Sequence, residues 1–199
     1  MSGRMWNKEW NKREGKIEIF TGIYMVVILM ILLSVQLQMR IFMATSTYME
    51  DALAASNLAS AVIDVREYGI THIVKIKSPK EAFELYREAL KQNLSLDDNW
   101  ESEQKDLIYG QVKILKYEIY NVEKNHITIY SYGAEGEDVR MIPNGLGSVY
   151  TPDGILVEST SVYSKIGFPV KGIFGVVIDS RKDKTVDVVS NLVNETGGS

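Results

Sequence analysis

The chain offers few side chains able to make or break a covalent bond. It has two histidines, His72 and His126, and no cysteine, which excludes thiol nucleophiles and thiolate metal sites. Each histidine falls in a stretch expected to be strand, and neither has the helical i, i+4 partner that a zinc-binding pair requires. His72 shares strand parity with Ile70, Val74 and Ile76, which predicts a partly buried core histidine rather than a ligand. The run Asp97, Asp98, Asn99, Glu101, Glu103 carries the oxygen donors that calcium prefers. Ser102, however, stands at the sixth loop position, where a calcium loop places glycine, so a solvated acidic loop is expected. Gly145-Leu146-Gly147 lacks the further glycine and the helix of a phosphate loop. On these residues no metal, cofactor or small-molecule substrate is expected, and the chain reads as non-enzymatic.

The elements that would carry such side chains begin with an apolar segment. From Ile19 to Met39 there is no charged residue, with Glu18 before it and Arg40 after it. As helix, these residues span roughly 31 Å at ~1.5 Å each, the thickness of a hydrocarbon core. The run is longer than the apolar part of a cleaved secretory signal, and Arg40-Ile41-Phe42-Met43 follows it where small residues would mark a cleavage site. A single membrane-spanning helix is therefore expected over 19–40. Arg4, Lys8, Lys12, Arg13 and Lys16 precede it, whereas Glu50 and Asp51 are met beyond Arg40 before the next basic residue, Arg66. That asymmetry predicts a cytoplasmic N-terminus and an outer C-terminal domain.

From Thr47 onward there are 16 Lys and Arg against 23 Asp and Glu, about −7, within a total of −4. An acidic domain without a basic stripe is a poor partner for nucleic acid. Lacking cysteine, the outer domain has to be held by its core alone.

Residues 41–66 contain neither glycine nor proline and are rich in Ala, Met and Leu, which predicts that the helix continues past the membrane to about Glu67 and stops at Gly69. Ala52, Ala55, Ser56, Ala59 and Ser60 keep part of its surface small enough for another backbone to approach. A short strand is expected over Ile70–Ile76. Ser78-Pro79-Lys80-Glu81 reads as a capping box with proline at the first helical position. Phe83, Tyr86, Leu90 and Leu94 follow as one apolar stripe, predicting a helix from Pro79 to about Asn93.

Strands are expected over Val112–Val122 and His126–Tyr132, turning at Lys124-Asn125. The glycine-bearing stretch from Gly133 to Gly147 is expected to be loop. Thr151-Pro152-Asp153-Gly154 is a strong turn that should pair Ser148–Tyr150 with Ile155–Ser159. Val162–Lys165, Ile173–Asp179 and Thr185–Leu192 complete the strands, the last two joined by a turn at Ser180–Lys184. The fold class is α+β: a long N-terminal helix, its first half in the membrane, and a second helix, both on an antiparallel β-sheet. In segments this gives a basic leader (1–18), the span (19–40), its outward continuation (41–68), an α+β head (69–194) and a polar tail (195–199).

A basic leader, a glycine, a nearby glutamate, an apolar span and a continuous Ala-rich helix leading into a small α+β head resemble type IV pilin-like proteins. Here these features are Lys12-Arg13-Glu14-Gly15-Lys16-Ile17-Glu18-Ile19-Phe20, the span, and Ala52 to Ile63. The likeness is to TadE-like and TadG-like minor pseudopilins of tight-adherence pilus systems. The resemblance implies cleavage by a leader peptidase between Gly15 and Lys16. It also implies a role in filament assembly for Glu18, which is the third residue after Gly15, whereas such proteins usually carry the glutamate at the fifth. It further implies a structural or assembly subunit of a bacterial surface pilus or secretion apparatus. The partners would be the lipid bilayer and, through the N-terminal helix, other pilin-like or assembly-platform subunits. The competing expectation is a membrane-anchored extracytoplasmic binding or sensory module whose helix is only a tether.

Overall fold

The computed structural model describes residues 3–103, 108–134, 136–172 and 175–188, with side chains from Glu18 onward. The chain divides into two compact units, Met1–Met43 and Ala44–Ser199. Helix α1 runs over Gly3–Ser60. In the first unit its apolar side chains, Ile19 to Met39, are exposed, and the helix is long and apolar enough to cross a membrane.

In the second unit the same helix has a different surface. Thr45, Met49, Ala52, Leu53, Ser56, Asn57 and Ser60 are buried, spaced by threes and fours so that they share one face. That face is apolar at its start and polar at its end. It lies on an antiparallel sheet of five strands: β1 (Lys113–Glu123), β2 (His126–Gly133), β3 (Gly136–Ile142), β4 (Ser161–Lys171) and β5 (Val177–Asp187), in the order β3-β2-β1-β4-β5.

Two further helices complete the unit, α2 (Val65–Thr71) and α3 (Pro79–Asn93). Helix α3 has the expected bounds and buries Ala82, Tyr86 and Leu90. Proline opens it, but Ser78 makes no side-chain capping bond, so the capping box is incomplete. Its aromatic residues meet those of the sheet: Phe83 stacks on Tyr132 at 4.9 Å, and Tyr86 lies 4.6 Å from Tyr117. Beyond the β-bulge between Ile114 and Lys116, odd-numbered residues of β1 thus face the helices. Even-numbered ones face away, where Tyr120, Ile127, Ile129, Val149, Val157 and Tyr163 form a second, smaller core beneath the 148–157 segment.

Several expectations need correction. Helix α1 ends at Ser60 rather than near Glu67. Ile63 bridges to Ile76, and Asp64 caps a new helix by accepting bonds from the N–H groups of Arg66 and Glu67. The strand expected over Ile70–Ile76 is thus mostly the end of α2 and an extended link. His72, not Gly69, takes the left-handed terminal position, at φ 57°.

The glycine-bearing stretch contains β3, an edge strand whose Glu137, Asp138, Val139 and Arg140 are exposed, so its pattern is too polar to announce a strand. The hairpin joining β2 to β3 needs glycine at Gly133, where a Cβ would stand 2.6 Å from the Leu115 carbonyl oxygen. Ser180–Lys184 is the interior of β5 and not a turn. Its charges alternate with the strand: Lys182 and Lys184 turn to Glu50, while Asp183 turns to Tyr163 and Lys165 on the other side. The β1–β2 hairpin and the Thr151–Gly154 turn match expectation, the latter closed by the Tyr150–Leu156 bridge with Gly154 at φ +83°. The segment 189–199, including the expected end of the last strand and the polar tail, lies outside the described residues.

Leu53 is fully buried on the helix face. Leu53→Ala is expected to lower stability by about 2–5 kcal/mol, read as a fall in the urea midpoint of the full chain in detergent. Val65→Ala, at an exposed position, should change it by less than about 0.5 kcal/mol.

Candidate functional site

The densest polar constellation on the head surrounds Glu118, in the middle of β1. Strand alternation puts Lys116, Glu118 and Tyr120 on the face turned away from the helices. Register brings Ser131 of β2 directly opposite Glu118, and β3 contributes Arg140 one strand further out. Glu118 is only 1% exposed, so its charge must be met locally. Tyr120 donates to Oε2 at 2.5 Å, Ser131 donates to Oε1 at 2.8 Å, Lys116 pairs with Oε1 at 2.9 Å, and the Arg140 guanidinium stands at 3.8 Å. Burial disfavours the carboxylate, but the bonds from Tyr120, Lys116 and Ser131 outweigh it and hold the Glu118 carboxyl below its ordinary value. The Tyr120 hydroxyl is correspondingly pushed up, by burial first and then by the carboxylate it serves.

Over this cluster lies an open groove of about 460 Å³, lined by Lys116, Ser131, Asp138 and Arg140 together with Leu115, Tyr132, Gly133 and Gly136. The arrangement is suited to fixing charges in place. With its acidity increased and both oxygens occupied, Glu118 is a poor general base for the Ser131 hydroxyl. Lys116 and Arg140 remain partly exposed, at 38% and 56%; the buried carboxylate holds Lys116 from beneath, while Arg140 pairs more closely with Asp138, at 3.2 Å.

A second polar set joins α1 to the sheet. Glu50 pairs with Lys184 at 2.7 Å and with Lys182 at 3.0 Å, and Lys182 also donates to Ser46 at 3.2 Å. Deeper, Asn57 donates to the Lys184 carbonyl at 2.9 Å and Tyr117 donates to Ser60 Oγ at 2.8 Å. Hydrogen bonds from Lys184 and Lys182 hold the Glu50 carboxyl at about 2.

The residues singled out by sequence fare differently. Gly15 and Lys16 are on α1, with side chains outside the described set, and Glu18 is exposed on the same helix. His72 is exposed, with its ring edge-on to Tyr68, so it is not the core residue that strand parity predicted; that parity fails because residues 65–71 are helix. His126 opens β2 with Nε2 3.7 Å from Glu123, which itself pairs with Lys75 at 2.7 Å. In the acidic loop Asp97 accepts bonds from the N–H groups of Asn99 and Glu101, closing the loop on itself. Among the described residues no three His, Asp or Glu side chains converge in a way that could hold a metal ion. Glu118 is not among the residues that the sequence pattern singles out. A lone glutamate flanked by Lys116 and Tyr120 at strand spacing was the available signal, but its burial depends on residues far away in sequence.

Both carboxyls are held below their ordinary value of 4.5. The stabilisation they supply is therefore present above that pH and is lost as pH falls through their lower, folded values. The urea midpoint should drop between about pH 5 and pH 2, and less steeply in Glu50→Gln. Glu118→Gln at pH 7 should cost about 1–3 kcal/mol, because the bonds from Tyr120, Ser131 and Lys116 lose their charged acceptor while the partly exposed Lys116 can still be hydrated.

Comparison with family models, with characterised proteins and with solved structures returned no match for the chain.

Proposed function

We propose that the protein is a non-enzymatic, pilin-like structural or assembly subunit of a bacterial surface pilus or secretion apparatus, anchored in the cytoplasmic membrane by the first part of α1. The observation that carries this reading is α1 itself. An exposed apolar stretch long enough to cross a bilayer is followed, without a break in the helix, by a stripe of small and apolar residues laid on an antiparallel sheet. A helix built this way lets one segment pack laterally among neighbouring helices while the other fixes a head to it. In this reading Glu18 lies at the edge of the apolar stretch, where a carboxylate is costly unless a partner's basic group meets it. Gly15 and Lys16 then mark the processing point, and the acidic head faces outward.

A second reading, a membrane-anchored extracytoplasmic binding or sensory module, is favoured by the groove over Glu118, where two cations are fixed beside an open cleft. The two readings differ in whether the chain is processed and leaves the membrane. The deciding measurement is the intact mass of the protein from native membranes and from the sheared cell-surface fraction. The subunit reading expects a species beginning at Lys16 in the surface fraction. A chain that keeps residues 1–15 and stays in the membrane overturns the processed-subunit form and favours the tethered module.

A further inference from the structure

Strand β3 ends the sheet, and among the described residues no other strand lies along its outer side. Which of its main-chain groups point outward follows from the β1–β2 hairpin. Glu123 and His126 flank the Lys124-Asn125 turn, so they form a hydrogen-bonded pair. Antiparallel pairs alternate in type, so even-numbered residues of β2 bond to β1 and odd-numbered ones to β3. The register sets Ser131 against Asp138 and Ile129 against Arg140, so Asp138 and Arg140 use their main-chain groups on β2. Glu137, Val139 and Met141 then aim theirs, N–H and C=O alike, at the free edge.

The side chains along this edge are exposed on both faces. Val139 and Met141 are 61% and 65% exposed, on the helix-bearing face, with the half-buried Tyr130 directly opposite Val139. Asp138 and Arg140 lie on the other face, paired at 3.2 Å and both more than half exposed. Charges usually keep an edge strand from pairing with a copy of itself, by setting like against like. Here their order decides otherwise. Outward groups at odd positions can bond only to odd positions of a copy, so an antiparallel two-fold pairing must be centred on a residue. Centring on Glu137, Asp138 or Arg140 places two like charges opposite each other. Centring on Met141 sets Pro143, which has no N–H, against the outward-facing Val139. Centres at Gly136 or Ile142 leave most of the strand unpaired. With Val139 at the centre, Val139 meets its counterpart in a hydrogen-bonded pair and Glu137 exchanges bonds with Met141 on either side. Asp138 of each copy then faces Arg140 of the other, at non-hydrogen-bonded positions where side chains approach most closely.

We propose that β3 is a self-association edge, on which a second copy of this chain lays its own β3 antiparallel about Val139, joining two five-stranded sheets into one. The contact is isologous and closes at two copies. It covers Val139 and Met141, and it involves the head alone, independent of whether the chain is processed. An edge this short is small beside a standard interface, so the pairing is weak in dilute solution and calls for a covalent trap.

The native chain has no cysteine, and cysteines at position 139 of the two copies would stand about 5.5 Å apart at Cα, within disulfide range. Full-length Val139→Cys in detergent would be oxidised with copper phenanthroline and followed on non-reducing gels beside Lys80→Cys, which is exposed on α3. The expected result is disulfide-linked dimer forming several-fold faster from Val139→Cys. Asp138→Lys or Arg140→Glu, each added to Val139→Cys, sets like charges opposite and should remove that advantage. Mixing the two variants should restore it, because each then meets an opposite charge in the other. Cross-linking of Val139→Cys no faster than that of Lys80→Cys overturns the self-association edge. An advantage that survives either charge substitution, or that mixing fails to restore, overturns the register about Val139.

Discussion

The head is organised by the need to cover one face of a five-stranded sheet with a helix that has little large apolar surface to offer. Along its buried stripe α1 contributes Met49 and Leu53, but also Thr45, Ala52, Ser56, Asn57 and Ser60. Among its small neighbours Asn57 reaches the backbone of β4 and β5 with its side chain. Burial makes a partner valuable to each polar group, because desolvating an amide or hydroxyl without one costs about 1–3 kcal/mol. The Asn57 amide nitrogen on the Lys184 carbonyl, Tyr117 on Ser60 and Asn93 on Ser56 meet that demand in part, while Asn57 Oδ1 is left without a protein partner. Hydrogen bonds of this kind specify one rotation and one axial position of the helix, which a greasy stripe would leave free to slide.

The opposite face solves a different problem. Part of it is covered by the 148–157 segment over Tyr120, Ile127, Ile129 and Tyr163. The rest would leave β1 with a carboxylate at its centre, and there Tyr120, Ser131 and Lys116 converge from β1 and β2. One glutamate thus ties neighbouring strands together from a position where an apolar residue would be expected. Replacing such a set by hydrocarbon is often no loss in stability; what the charges add is a fixed placement for Lys116 and Arg140 above the groove.

The parts of this architecture that announce themselves in sequence are those set by local patterning. The uncharged run from Ile19 to Met39, the Pro79–Asn93 stripe, the Lys124-Asn125 hairpin and the Thr151–Gly154 turn depend on residues within a few positions of each other. What is not legible depends on partners far along the chain. Ser180–Lys184 looks like a charged turn until Glu50 is known to stand beside Lys182 and Lys184, about 130 residues away. Helix α1 stops at Ser60 with no glycine or proline, because Ile63 pairs with Ile76 and Asp64 begins a new helix. Strand β3 hides behind glycines because an edge strand exposed on both faces carries no apolar alternation. The same logic governs the Glu118 cluster, whose members come from three strands.

The run of contacts between α1 and β5 bears on how the head would respond to a pull. Ser46, Glu50 and Asn57 engage Lys182 and Lys184 in the same order along helix and strand. A tension applied along the helix would therefore strain these bonds side by side, as in shear, rather than opening them one after another as in peeling. Five antiparallel strands behind them spread that load across the sheet. A drag on the head would thus reach the helix through many bonds at once, and the weakest of them would not set the breaking point alone.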